Sequence, residues 1–139
     1  MWNWICSIVC SCVIAYGGVV DRKRREIPDI VPIVLFVCGL FEPYLILRLV
    51  CMIVMLIVLM LAHAITKKEL PGGDLKLILA MTFLLGISSV LLILIIVGIE
   101  IAAASLIGRR YDRNSIPLCT YIAPAFILLS ALTLIMGGY

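Results

Sequence analysis

Apolar residues fill this chain in long runs, and charged residues gather in short clusters between them. From Trp2 to Val20 there is no charged side chain. A polar cluster follows, from Asp21 through Arg-Lys-Arg-Arg-Glu-Ile-Pro to Asp29, and then apolar residues return. Later breaks fall at Glu42-Pro43, Lys67-Lys68, Pro71-Gly72-Gly73, Gly86-Ile87-Ser88-Ser89 and Arg109–Arg113. Runs that are apolar on every side suit helices immersed in lipid, and a crossing needs ~20 residues. The pattern predicts an all-α, polytopic membrane protein with six transmembrane helices in a single domain, 1–139. The helices fall at about Trp2–Val20, Ile30–Phe41, Leu45–Ile65, Leu75–Leu85, Val90–Ile107 and Pro117–Met136.

Two of these bounds come from length. A helix over Ile30–Phe41 rises only ~18 Å against a hydrocarbon core of ~30 Å, so it is expected either to start earlier, near Ile27, or to lie against thinned lipid or protein. One helix over 77–107 would span ~46 Å, too long for an ordinary bilayer, so a turn is placed at Gly86–Ser89.

Composition strengthens the membrane reading. The chain is 65% hydrophobic with a mean hydropathy of +1.27, which excludes a soluble globule. The first run lacks the basic segment that precedes a signal peptide's apolar core, so it reads as a retained helix. Most Lys and Arg fall in three clusters: Arg22–Arg25; Lys67, Lys68 and Lys76; and Arg109, Arg110 and Arg113. Positive charge marks the cytoplasmic side, so an even number of crossings separates each cluster from the next. The chain is therefore expected in the cytoplasmic membrane with both termini outside. Arg48 stands apart and is expected to snorkel to the outer surface. The bilayer is the expected partner, and nucleic acid is not, because so little polar surface is available. The six cysteines lie in or beside apolar runs and form no CxxC pair, so they read as small packing residues; no metal site or cofactor is expected.

This topology brings two carboxylates to one membrane face. Asp21 ends the first run, and Asp74 opens the fourth. Two carboxylates that share a proton can activate a water and hydrolyse a peptide bond. Each also has a plainer reading: Asp21 as an anion balancing Arg22–Arg25, Asp74 as an N-cap. Gly72 and Gly73 are either a simple loop or a device that lets backbone approach a substrate strand. Ile27-Pro28-Asp29 reads as a turn into the second helix. Glu100, about two turns inside the fifth helix, is a functional candidate by position and equally a structural partner within the bundle. His63, near the end of the third helix, reads first as a packed polar residue.

The motifs resemble those of type IV prepilin peptidases. Asp21 with its basic residues and Ile27-Pro28-Asp29 is similar to that family's first motif, an Asp followed by basic residues and Ile-Pro-Asn/Asp. Gly72-Gly73-Asp74-Leu75-Lys76 is similar to the second, Gly-x-Gly-Asp-x-Lys, and Ile116-Pro117-Leu118 resembles an Ile-Pro-Phe segment. The resemblance implies a six-helix membrane aspartic protease with Asp21 and Asp74 catalytic. Gly72, Gly73, Lys76, Pro28 and Asp29 would be motif support, and Glu100 and His63 possible supporting residues. It implies a prepilin or pseudopilin substrate with a short basic leader, a glycine before the cut and an apolar helix after it. Two departures stand out: Pro71 replaces the first motif glycine, and Leu-Cys-Thr-Tyr follows Pro117 where glycine-proline is usual. The cysteine-pair segment of the methylating members is not seen, so peptidase activity alone is expected. Rival readings are a preflagellin peptidase, a presenilin-like protease, which would want Tyr rather than Val20 before the first aspartate, and a non-enzymatic scaffold or small transporter.

Overall fold

The computed structural model describes residues 2–24, 26–41, 43–67, 72–107 and 118–136. Six helices run through them, with no strand: α1 (Trp2–Arg24), α2 (Ile30–Leu40), α3 (Leu45–Thr66), α4 (Gly72–Leu85), α5 (Ile87–Leu106) and α6 (Leu118–Met136). Every predicted helix has its counterpart, and the differences lie at the ends.

α1 continues through Asp21 to Arg24, a turn beyond the expected stop at Val20. Arg22, Lys23 and Arg24 fill its last turn, where cations complement the negative end of the helix. α2 begins at Ile30 rather than near Ile27. Pro28 disfavours helical backbone at the residue before it, and Asp29 takes the cap position. α2 is therefore only 11 residues long, ~16 Å. α4 starts at Gly72, so Asp74 lies in the first turn of the helix rather than at its cap. The break after α4 is Gly86 alone, at φ +85°, a left-handed conformation that glycine adopts without steric cost. Its N–H donates to the Thr82 carbonyl at 2.9 Å, and α5 resumes at Ile87, taking in Ser88 and Ser89.

Among the described residues, three helices are long and apolar enough to cross a membrane: Trp4–Arg24, Leu45–Ile65 and Ile87–Leu106. Ile30–Leu40 and Cys119–Leu132 are shorter apolar helices. Ile46 and Ile65 are each 81% exposed, as suits side chains that face acyl chains. Lys68, Pro71, the Arg109, Arg110 and Arg113 cluster and Ile116-Pro117 lie outside the described residues.

The chain forms two compact units, Met1–Pro28 with Leu92–Tyr139, and Asp29–Leu91. In the first, α1 packs along α6. Gly18 makes the approach possible: a Cβ there would lie 3.3 Å from both the Ala123 Cβ and the Cys119 carbonyl oxygen. The Thr120 hydroxyl donates to the Gly18 carbonyl at 2.9 Å, and the hydroxyls of Ser11 and Ser130 meet at 3.4 Å. Pro124, inside α6, removes the backbone donor that would otherwise bond the Thr120 carbonyl.

In the second unit, α2 and α3 both pack on α4. The Phe36 and Phe83 rings stack with centroids 4.5 Å apart. Gly39 lets Phe83 in, since a Cβ at 39 would fall 2.6 Å from the ring. Arg48 does more than reach for the surface. It is half-buried, and Nη1 donates to the Phe83 carbonyl at 3.4 Å, in the last turn of α4 where carbonyls lack helical partners. The cysteines form no disulfide: Cys6, Cys10 and Cys119 are buried, Cys38 and Cys51 half-buried, and Cys12 exposed.

Candidate active site

Asp21 is 5% exposed and is the one buried charged side chain among the described residues. Removing a carboxylate from water is costly unless hydrogen bonds replace its hydration. Here the replacement comes from α6. The Cys119 N–H donates to Asp21 Oδ2 at 3.1 Å, and the Thr120 amide adds a second backbone contact. These amides belong to the first turn of α6, where N–H groups have no acceptor within the helix. Asp21 thus caps a helix 98 positions further along the chain. The contact fixes the carboxylate, and the bond from Thr120 to the Gly18 carbonyl fixes the two backbones beside it.

Asp74 occupies a different setting. It is half-buried in the first turn of α4, where the helix dipole favours an anion. Gly72 is exposed, and a Cβ there would meet none of the described residues within 4 Å, so none of them demands a glycine. Lys76, one position beyond Leu75, turns to Asp29: its Nζ donates to Asp29 Oδ1 at 3.1 Å. That pair ties the start of α4 to the start of α2. Both side chains are open to the surroundings, Lys76 at 60% and Asp29 at 74%.

Of the predicted site residues, Asp21, Pro28 and Glu100 belong to the first unit, and Asp29, His63, Gly72, Gly73, Asp74 and Lys76 to the second. Asp29 and Lys76 are brought into contact. Glu100 is half-buried on α5. His63 is exposed in the last turn of α3, against the expectation of a packed residue, and its carbonyl accepts the Lys67 N–H at 2.9 Å. Among the described residues no group of three His, Cys, Asp or Glu side chains could hold a metal ion.

Sequence reading missed Gly18 and the amides of Cys119 and Thr120. A signal was present. The residue before Leu118 is Pro117, which has no side-chain oxygen to cap a helix, so the first-turn amides of α6 needed an acceptor from elsewhere.

The model of the type IV leader peptidase family matches residues 8–138. No curated protein and no solved structure matches the chain. The family match takes in Asp21, Asp74 and all six helices but the first turns of α1. An all-helical chain with apolar, membrane-length helices and this match over nearly its whole length belongs to the type IV leader peptidase family.

Proposed function

We propose that this membrane peptidase is of the aspartic type, with Asp21 and Asp74 as its catalytic pair. The observation that carries the proposal is Asp21: a buried carboxylate, held by two backbone amides and paired with no cation among the described residues. Buried ionisable groups in membrane segments are expensive and functional by default. Asp74 stands after Gly72-Gly73 at the start of α4, where backbone can approach a substrate strand.

The reaction is hydrolysis of one peptide bond at the cytoplasmic membrane face. One carboxylate, ionised, takes a proton from water as the water oxygen attacks the scissile carbonyl. The other, protonated, hydrogen-bonds the carbonyl oxygen. As the tetrahedral intermediate collapses, the C–N bond breaks and the new amine takes a proton from the pair. Water is consumed, and the pair returns with one proton shared. The proposed topology has six crossings with both termini outside. Its shorter members, α2 at ~16 Å and α4 at ~21 Å, would need locally thinned lipid. The substrate is a prepilin or pseudopilin with a short basic leader before the cut and an apolar helix after it.

The test is leader removal from a prepilin in membranes containing this chain, followed by gel shift. Cleavage at the end of the basic leader is expected. An intact prepilin after prolonged incubation with the folded protein would contradict the assignment.

A further inference from the structure

A groove of about 530 Å³ opens in the second unit between α2 and α4, with Met52 of α3 in its wall. Its lining is apolar over most of its length: Pro32, Ile33, Phe36 and Val37 on one side, Leu79 and Ala80 on the other. Asp29 and Lys76 line it too, and their side chains form the ion pair at 3.1 Å. From Asp29 to Val37 the helix rise gives a groove ~12 Å long. Ile33 is 59% exposed and Val37 46%, so the groove is open to whatever surrounds the helices.

We infer that this groove binds one acyl chain of a zwitterionic glycerophospholipid whose headgroup carries a primary ammonium. The charge pattern carries the inference. A phosphate and an ammonium separated by two carbons present a negative and a positive group side by side. Lys76 and Asp29 present the complementary pair at the end of an apolar channel. As an exposed pair their attraction is weak, ~0–1 kcal/mol, so it opens at little cost. In the open form Lys76 donates to the lipid phosphate, and Asp29 accepts from the ammonium. Each charge keeps a partner, and no net charge is left at the interface.

The same geometry ranks other headgroups. An anionic lipid with a glycerol headgroup satisfies Lys76 with its phosphate but offers Asp29 no cation. A choline headgroup has no N–H to give Asp29. The site does not depend on the peptidase reading, since Asp29 and Lys76 would hold the lipid whether or not the chain cleaves anything.

The experiment uses the purified full chain in detergent, titrated with phosphatidylethanolamine, phosphatidylcholine and phosphatidylglycerol of identical acyl chains, with bound lipid counted by native mass spectrometry. Phosphatidylethanolamine is expected to bind about tenfold more tightly than the other two, a preference worth ~1.4 kcal/mol. Asp29→Asn should bring it down to the level of phosphatidylcholine. Lys76→Gln should weaken all three, because all three carry the phosphate. Ile33→Trp, at a position that is already exposed, should fill the groove and remove the preference without disturbing the packed core. Equal binding of the three lipids by the wild-type chain would overturn the inference, as would a preference that survives in Asp29→Asn. A photoreactive residue at Val37 adds a second readout in membranes. Capture of lipid supports the site; capture of a polypeptide would assign the groove to a substrate helix and refute it.

Discussion

The two aspartates sit in environments of opposite kind. Asp21 is buried, reached from 98 positions away by the amides of another helix, and flanked by a glycine with no room for a methyl group. Asp74 is half-buried and lies in the first turn of its own helix, two positions after Gly72, where a Cβ would meet none of the described residues. The first setting is built across two helices distant in sequence, the second at a helix start. If the two work as a pair, one partner is held by the amides of another helix and the other is carried by the opening turn of its own. The difference makes the two ends respond differently to the same substitutions.

The largest expected effect is on catalysis. Asp21→Asn and Asp74→Asn each remove a proton carrier at nearly constant volume, and each should slow leader removal by at least about 100-fold, the low end for loss of acid–base catalysis. Membrane insertion should be unchanged, since Asn at 21 still offers an oxygen to the Cys119 amide. Cleavage near the wild-type rate by either variant would remove that aspartate from the mechanism.

Next comes Gly39→Ala. Its Cβ would land 2.6 Å from the Phe83 ring, which is already stacked on Phe36. Overpacking of this kind costs about 1–3 kcal/mol. Thermal unfolding in detergent should show the loss; an unchanged midpoint would mean that Phe83 moves aside freely and that the α2–α4 contact is looser than described.

The tertiary cap is tested by alanine. Asp21→Ala strands the first-turn amides of α6 and should destabilise the fold by about 1–2 kcal/mol, as loss of a good cap does. The loss is read from the unfolding midpoint in detergent, and an unchanged midpoint would show that α6 does not depend on this carboxylate.

The smallest effects belong to the neighbouring glycines. Gly72→Ala should be neutral or slightly stabilising, because Ala is the better helix former and its Cβ meets nothing. Gly18→Ala should be destabilising despite the same propensity gain, because one of its 3.3 Å neighbours is a backbone carbonyl that cannot swing away. Equal midpoints for the two variants would show that α1 and α6 separate easily.

The helices were legible because each apolar run is long and each break carries a charge, a proline or a glycine. The bounds were less so. The extra turn of α1 through Arg24 is polar, and hydropathy alone stops at Val20, although Arg and Lys are good helix formers and favour a helix C-terminus. The start of α2 at Ile30 follows the apolar run, and Pro28 explains why the helix stays short instead of reaching back to Ile27. Asp21 and Asp74 stood out as carboxylates beside membrane runs, and Asp29 and Lys76 through their motifs. The bond from Cys119 to Asp21 could not be read from periodicity, since backbone amides leave no trace in residue type. The second role of Arg48 was hidden for a similar reason: its acceptor is the carbonyl of Phe83, an apolar residue.

The central claim is that Asp21 and Asp74 act as one unit, and a double-mutant comparison tests it most directly. Initial rates of leader removal are measured for Asp21→Asn, Asp74→Asn and the double variant, at equal amounts of folded protein in membranes. Residues that share one proton in one reaction are not additive: once either is lost, losing the other changes little. The account predicts that all three variants fall to the same residual rate. A double variant whose loss is the product of the two single losses would mean two independent contributions, and would contradict a shared catalytic pair.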